Sequence, residues 1–364
     1  MILRLARTTS TLSTLAAAGT RAGKEHGTMT TYARLRSSLA AALALGFCLA
    51  AAAASPAAAA PAEATATKPD PTCGPARTQQ RTVNHTFGSL VMRGTPRRVV
   101  ALEFSFVDAM LSVGVKPVGL ADDNNRTRIL KLYRDDLGGY ISVGLRQTPN
   151  LEAISSLKPD LIIADADRHK NIFRQLERIA PTIVLDSLQQ AYLPNLHSAV
   201  VIGQAVNRCG AMIKRVQRHK ENIKRIARVI PDNEQRNAMF AVSTTTVFNM
   251  HNSRGYTPSL LQAIGIKATE QQKPGGNPYH ELTLETLFTL NPDILFIARY
   301  GTGTMSDKWQ SSPIWAQLKA VRNNKVFYVN GDLWSRWRGM TAGEVIAQQT
   351  ARLIYKKYVP LKIG

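Results

Sequence analysis

Cysteine is scarce: three residues in 364, Cys48, Cys73 and Cys209. So few cannot build a disulfide scaffold, and none are paired at the spacing of a zinc or redox motif. Histidine offers no metal centre either. The seven, at positions 26, 85, 169, 197, 219, 251 and 280, are scattered without ligand spacing, and His-Glu-x-x-His is absent. Gly-x-Ser-x-Gly and phosphate-binding glycine loops are missing too, which removes the motif-based cases for a hydrolase or a nucleotide enzyme. Acidic residues are outnumbered, 25 against 46 Lys and Arg, for a formal net charge of +21. That excess favours anionic ligands or surfaces, yet no nucleic-acid motif accompanies it. Long apolar runs are also lacking. The best candidate, Leu39 to Ala54, is alanine-heavy and shorter than the ~20 residues a membrane span needs.

That short run has another reading. Met29, Arg34 and Arg36 precede it and small residues with proline follow, the layout of a secretory signal cleaved between Ala54 and Ala64. Residues 1–28 then read as an over-long start. Cys48 is a poor lipid-attachment site, with bulky Phe47 before it and Leu49 keeping the segment apolar after it. Loss of residues 1–60 removes six basic residues and one acidic residue and leaves +16. Residues 61–80, rich in Pro, Ala and Thr, are expected to be flexible. In an oxidising compartment Cys73 and Cys209 can form one disulfide, tying this extension to a central helix. The alternative is a free thiol in each place.

What the sequence does contain is an internal repeat. Leu151-Glu152-Ala153-Ile154 leads to Leu157-Lys158-Pro159-Asp160 and the apolar run from Leu161. Leu284-Glu285-Thr286-Leu287 leads to Leu290-Asn291-Pro292-Asp293 and the apolar run from Ile294. Each copy predicts a short helix with an acid in its first turn, stopped by proline, then a buried strand. Met110 to Lys116 and Leu261 to Lys267 form a second pair, a helix ending on a glycine and passing into a strand. The gap from that glycine to the repeat glutamate is 38 residues in one half and 20 in the other. The halves are therefore similar lobes rather than tandem copies.

Alternating strand and helix patterns predict an α/β protein: two Rossmann-like lobes with mainly parallel sheets, joined by a long helical spine. The expected divisions are an N-terminal lobe at 81–195, a linking helix at 196–231 and a C-terminal lobe at 232–364. Arg81 to Met92 reads as an edge hairpin. Met212, Val216, His219, Ile223, Ile226 and Ile230 form one stripe along the spine, with His219 packed rather than ligating. Lys214, Arg215, Arg218, Lys220, Lys224, Arg225 and Arg228 read as its solvated face. Thr341 and Glu344 fit a capping box for the last helix.

Ligands of open α/β sheets bind beyond the carboxyl ends of the strands. The residues there include Glu103, Asp122 to Asn124, Arg146, Asp165 to His169 with Arg168, Ser243 to Thr246, Arg299, Tyr300 and Trp334 to Arg338. In an extended chain Trp334, Arg336 and Arg338 would project to one side, the indole as a flat wall beside two guanidinium forks. The candidate ligand-binding set is Glu103, Asn124, Arg146, Arg168, Ser243, Arg299, Trp334, Arg336 and Arg338, a basic cleft suited to a polycarboxylate. The alternative is that some arginines pair with Asp165, Asp167 or Asp332. No catalytic residues and no metal ligands are assigned.

Leu102 to Ala109, Ala121 to Asn124, Ser142 to His169 and Trp334 to Gly339 resemble the periplasmic ferric-citrate-binding proteins. More broadly, the chain is similar to the receptors for iron-siderophores and vitamin B12 that serve ATP-driven importers. That resemblance implies that iron arrives already chelated, with ferric dicitrate the expected ligand, and that no cofactor is needed. It implies that Glu152 and Glu285 dock on an inner-membrane permease, and that the protein works as a periplasmic monomer without enzymatic activity. One departure stands out: Thr244-Thr245-Thr246 follows Ser243 where a ferric-citrate receptor would carry a basic residue. A receptor for another siderophore or haem, or an enzyme or metallochaperone on the same fold, are the alternatives.

Overall fold

Alternating exposure folds Arg81–His85 (β1) and Gly88–Met92 (β2) into the expected antiparallel hairpin. The structure is a computed structural model that describes residues 80–270 and 276–361, all within one compact unit. The expected signal segment, Cys48, the flexible stretch and Cys73 lie outside the described residues.

The N-terminal lobe is a parallel sheet of β3 (Val99–Ala101), β4 (Gly119–Leu120), β5 (Ile141–Ser142), β6 (Leu161–Asp165) and β7 (Thr182–Leu185), ordered β5-β4-β3-β6-β7. Helices α1 (Phe104–Leu111), α2 (Lys131–Leu137), α3 (Leu151–Ser156), α4 (Ala166–His169) and α5 (Phe173–Ile179) connect the strands. Every residue of β3, β6 and β7 is buried, as continuous apolar runs require.

The expected single linking helix is two helices, α6 (Tyr192–Ala205) and α7 (Cys209–Ala227). Asn207 breaks the run with φ 55°, and Arg208 N donates back to Gly203 O at 2.7 Å. Gly203 is needed here because a Cβ would lie 2.5 Å from the Met212 side chain. Cys209 opens α7 and is disulfide-bonded. The predicted stripe from Met212 to Ile230 is buried throughout, His219 included.

The C-terminal lobe contains β8 (Asn237–Ser243), β9 (Phe248–His251), β10 (Lys267–Ala268), β11 (Tyr279–Glu281), β12 (Ile294–Arg299) and β13 (Val326–Val329). The order is β11-β9-β8-β12-β13, with β10 beside β8. Strands β8, β12 and β13 are parallel, while β9 and β11 pair antiparallel. A four-residue turn joins β8 to β9, closed by Thr244 N donating to Val247 O at 2.9 Å, and so short a link permits only antiparallel pairing. The helices are α8 (Tyr256–Ala263), α9 (Leu284–Leu290), α10 (Met305–Trp309), α11 (Pro313–Gln317), α12 (Lys319–Arg322) and α13 (Met340–Tyr355).

The repeat has the same geometry in both lobes. Asn150 and Thr283 cap α3 and α9 by accepting from Ala153 N and Thr286 N, with Glu152 and Glu285 in the first turns. Lys158 and Asn291 sit at φ 45° and 41°, and the following proline ends each helix. The aspartate after it holds the entry to the lobe's central strand. Asp160 accepts from Arg97 N and Arg98 N at 2.7 and 2.9 Å, ahead of β3, and Asp293 accepts from Asn237 N at 3.0 Å, the start of β8.

Two sequence expectations fail around α13. Its N-cap is Gly339, and neither Thr341 nor Glu344 forms a capping box. Glu344 instead accepts from Arg215 Nη1 and Nη2 at 2.8 and 3.0 Å, Asn222 Nδ2 at 3.0 Å and His219 Nδ1 at 3.0 Å. Arg215 is therefore buried against α13 instead of lying on the solvated face, while Lys214, Lys220 and Lys224 are exposed. His219 is held in the neutral form by burial, its Nε2 2.9 Å from Tyr192 Oη. Glu344→Ala should lower unfolding free energy by about 3–5 kcal/mol, because it strands a buried guanidinium. Denaturant titration of the two proteins measures this.

Candidate functional site

The strand ends of the N-terminal lobe converge as the parallel topology requires. Glu103 follows β3 and has no exposed surface. Asp122 and Asp123 follow β4, Arg146 follows β5, α4 with Arg168 follows β6, and Ser187 follows β7. Asp122 closes its loop by accepting from Asn124 N at 3.0 Å, Tyr140 Oη at 2.8 Å and Ser142 Oγ. Asp123 and Asn124 both adopt left-handed backbone, φ 59° and 54°. Such consecutive conformers are costly outside glycine. They turn Asp123 toward Arg146 and leave Asn124 exposed.

Arginines meet there, but on the protein's own carboxylates. Glu103 Oε1 accepts from Arg168 Nε, and its Oε2 accepts from Arg146 Nη1 at 3.2 Å and Arg338 Nη2 at 3.1 Å. Asp123 takes the other side of the Arg146 fork, Nε at 2.9 Å and Nη2 at 2.8 Å, and also pairs with Arg128. Burial alone would raise the Glu103 carboxyl, but the charges of Arg146, Arg338 and Arg168 pull it down to about 2. Asp123 is likewise opposed by burial and held low by Arg146 and Arg128. Asp165 goes the other way. Burial and the Glu103 charge push it up to about 6, against backbone donors including Arg168 N and Leu188 N.

His169 positions this cluster from behind. It is buried, its Nδ1 accepts from Asp165 N at 2.8 Å, and its Nε2 donates to Arg146 O at 2.7 Å. That pair of bonds requires the neutral ring, and burial lowers its pKa accordingly.

The second lobe arrives through the segment after β13. The expected extended chain is a π-helical turn, Asp332–Arg336, with Arg338 just beyond it, and the side chains of Trp334, Arg336 and Arg338 diverge. Trp334 is fully buried in the C-terminal lobe, 4.8 Å from the Phe296 ring centroid, with Nε1 donating to Gln349 Oε1 at 2.8 Å. It forms no ligand wall. Arg336 pairs with Asp332 at 2.6 Å and lies over the Tyr300 ring at 4.0 Å. Arg338 crosses to the other lobe and donates to Ser187 O at 3.1 Å as well as to Glu103. Trp337, which the sequence reading passed over, stacks between Phe104 and Tyr133, 4.8 and 4.1 Å from their ring centroids.

Arg299 is the most exposed of these cations. Its side chain is 42% exposed, pairs with Asp307 at 2.9 Å and lies over Tyr328 at 3.9 Å. It lines an open pocket of about 430 Å³ with Gly301, Thr302, Gly303, Asp307, Tyr328 and Val329. Ser243 is buried and accepts from Ser306 N at 2.9 Å, so it serves the fold. The neutral Thr244-Thr245-Thr246 run has a cation beside it after all: Lys308 Nζ donates to Thr245 O at 2.7 Å. Tyr279 of β11 donates to Leu188 O across the lobes. Gln147, whose Oε1 accepts from Arg168 Nη1 at 2.6 Å, carried no motif, and neither did Ser187, Tyr279, Tyr328 and Lys308. Among the described residues, no group of three or more His, Cys, Asp or Glu could hold a metal ion.

The chain is similar to known proteins in sequence and fold. The chain is 40% identical over 277 residues to the Fe(3+)-citrate-binding protein YfmC of Bacillus subtilis, covering 76% of this chain and 87% of that one. It is 37% identical over 274 residues to the Fe(3+) dicitrate-binding periplasmic protein FecB of Escherichia coli, covering 75% and 90%. Among solved structures, Staphylococcus aureus SirA complexed with staphyloferrin B has the same fold, with a TM-score of 0.68 at 24% identity over 76% of this chain and 98% of that one. Residues 99–333 match the family described as periplasmic binding protein, and the chain belongs to that family.

Proposed function

We propose that this chain captures an anionic ferric chelate, ferric dicitrate, between its lobes and delivers it to an ATP-driven importer of the inner membrane. The observation that carries the reading is the meeting of guanidiniums from both lobes at the strand ends, Arg146 and Arg168 from one and Arg338 from the other. The relatives named for citrate complexes supply the ligand class. Arg168, Arg299 and Arg336 are the carboxylate-binding groups, since their side chains keep 13, 42 and 20% exposure. Stacking of Arg299 and Arg336 on tyrosines fixes their planes, which lowers the entropy lost when a carboxylate binds. Arg146 and Arg338 stand behind them.

A less anionic siderophore is the second reading, favoured by the internal pairing of Arg146 and Arg338. Titration with ferric dicitrate, iron-free citrate and uncharged hydroxamate chelates separates the two. Tryptophan emission should report it, because Trp337 sits on the seam between the lobes. We expect ferric dicitrate to quench, and no response to any citrate species refutes the specific ligand. Arg168→Gln and Arg336→Gln should each weaken ferric dicitrate roughly ten- to hundredfold, the worth of a charge-assisted bond of about 1.5–3 kcal/mol.

Docking on the importer falls to Glu152 and Glu285, both exposed in first turns of equivalent helices. In a crossover between parallel strands the helix runs back against them, which sets those turns beside the carboxyl ends of the strands. The protein acts as a monomer exported through a cleaved signal, with lobe closure limited by its helical spine. Glu152→Ala with Glu285→Ala should abolish chelate uptake by cells and leave the dissociation constant unchanged. A matching fall in affinity would mark both acids as structural.

A further inference from the structure

We infer that Glu103 is a fixed counter-ion of the ligand site: it does not touch the chelate, and its charge sets how much anionic charge the site accepts. This specificity role rests on the anionic-chelate reading above. Glu103 has no exposed surface, and both carboxylate oxygens are taken by guanidiniums. A ligand carboxylate therefore meets the arginines and never the glutamate.

Its place in the chain points the same way. Glu103 is the N-cap of α1, where the shorter Asp, Asn, Ser or Thr would accept from the helix's free N–H groups. Here the side chain makes no capping bond, and its whole acceptor capacity faces the arginines. One of those, Arg338, comes from the other lobe, 235 residues away. The counter-ion thus assembles the site across the lobes and fixes the direction of each fork.

The charge balance gives the role its consequence. Arg128, Arg146, Arg168 and Arg338 are linked to Glu103 and Asp123 in one network. Removing one of its two carboxylate charges leaves a site much more positive at short range, where the medium screens poorly. A spectator carboxylate with a purely architectural role would leave charge selection untouched.

Glu103→Gln tests this, since it keeps the shape and one accepting oxygen while deleting the charge. The variant should bind ferric dicitrate about tenfold more tightly at low salt, with a steeper loss of affinity as salt rises. Affinity for an uncharged ferric hydroxamate should not follow. The double variant Glu103→Gln with Arg338→Gln restores the charge balance and should return the salt dependence to that of the parent, which keeps the proposal testable if the single variant folds poorly. A ligand-free readout accompanies these: the Asp165 carboxyl carbon, followed by NMR, should titrate below its parent midpoint near 6, because the neighbouring Glu103 charge is gone. Uniformly weaker binding, an unchanged salt dependence and an unmoved Asp165 overturn the proposal. Failure of the parent protein to bind any citrate species refutes the ferric-dicitrate reading instead, and the Glu103→Gln comparison is then made with an anionic ferric catecholate against the uncharged hydroxamate.

Discussion

A carboxylate removed from water stays ionised only where cations and donors replace its hydration, and Glu103 meets that condition with guanidiniums from three separated segments. The rest of the site follows from this constraint. Arg146 must lie between Glu103 and Asp123 to satisfy both, which fixes the loop after β5. Arg168 must reach from α4, so Asp165 caps that short helix by accepting from Asp167 N and Arg168 N at 3.0 and 2.9 Å. His169 then ties the two loops together by bridging Asp165 N and Arg146 O. Without the Glu103 charge the guanidiniums would stand unbalanced in a half-buried space, with an incoming anion left to offset them.

The same seam is reinforced by a second buried acid. Asp108 of α1 accepts from Thr341 N and Ala342 N at 3.3 and 3.1 Å, and so caps α13 from the opposite lobe. Burial raises its pKa, and the bonds from Tyr133 and the helix amides oppose that rise. Close approach is what makes the cap work: a Cβ on Gly339 would lie 2.1 Å from Asp108 Cγ. Trp337, wedged on Tyr133 and Phe104, and Arg215 with Glu344 tie the same helix to both neighbours. One buried apolar cluster runs through all of these elements, from Phe104 to Phe240 and Ile346. On the proposed function, lobes built this way would shift only slightly, and ligand capture would depend on arginines already in position.

The two-lobed plan was legible because its signals are local. Proline after a capped short helix and an apolar run of fixed length recur in both halves, and each has a direct physical consequence for the backbone. The strand-end rule then located Glu103, Arg146, Arg168 and Arg338 without any contact information. Their partners were not legible, since Arg338 and Glu103 are far apart in sequence and nothing local encodes a choice between a ligand and an internal acid. Trp334 was misread for a different reason. Two-residue spacing implies a shared side only in an extended chain, and here Asp332–Arg336 coils as a π-helical turn. Thr341 and Glu344 have capping-box spacing, but Gly339 and Asp108 supply the cap, which frees Glu344 to bind Arg215. The antiparallel β9 was missed because a four-residue turn looks like any loop at the end of a strand.

The charge of the chain and the chemistry of its site turn out to be separate matters. A formal +21 suggests a strongly positive cleft, yet the spine displays much of that charge on exposed Lys214, Lys220, Lys224 and Arg228. At the strand ends four guanidiniums share two carboxylates, Glu103 and Asp123, which offset half of their charge. Surface charge acts at long range and is screened over about 10 Å at ordinary salt, so it gathers anions without choosing among them. Choice has to come from forks held at fixed angles in a half-buried space, where an ill-fitting anion loses bonds it had in water. A receptor of the proposed kind, facing many small carboxylates, needs that kind of selection more than it needs raw attraction. A site that neutralises its own arginines gives up some attraction and keeps their geometry.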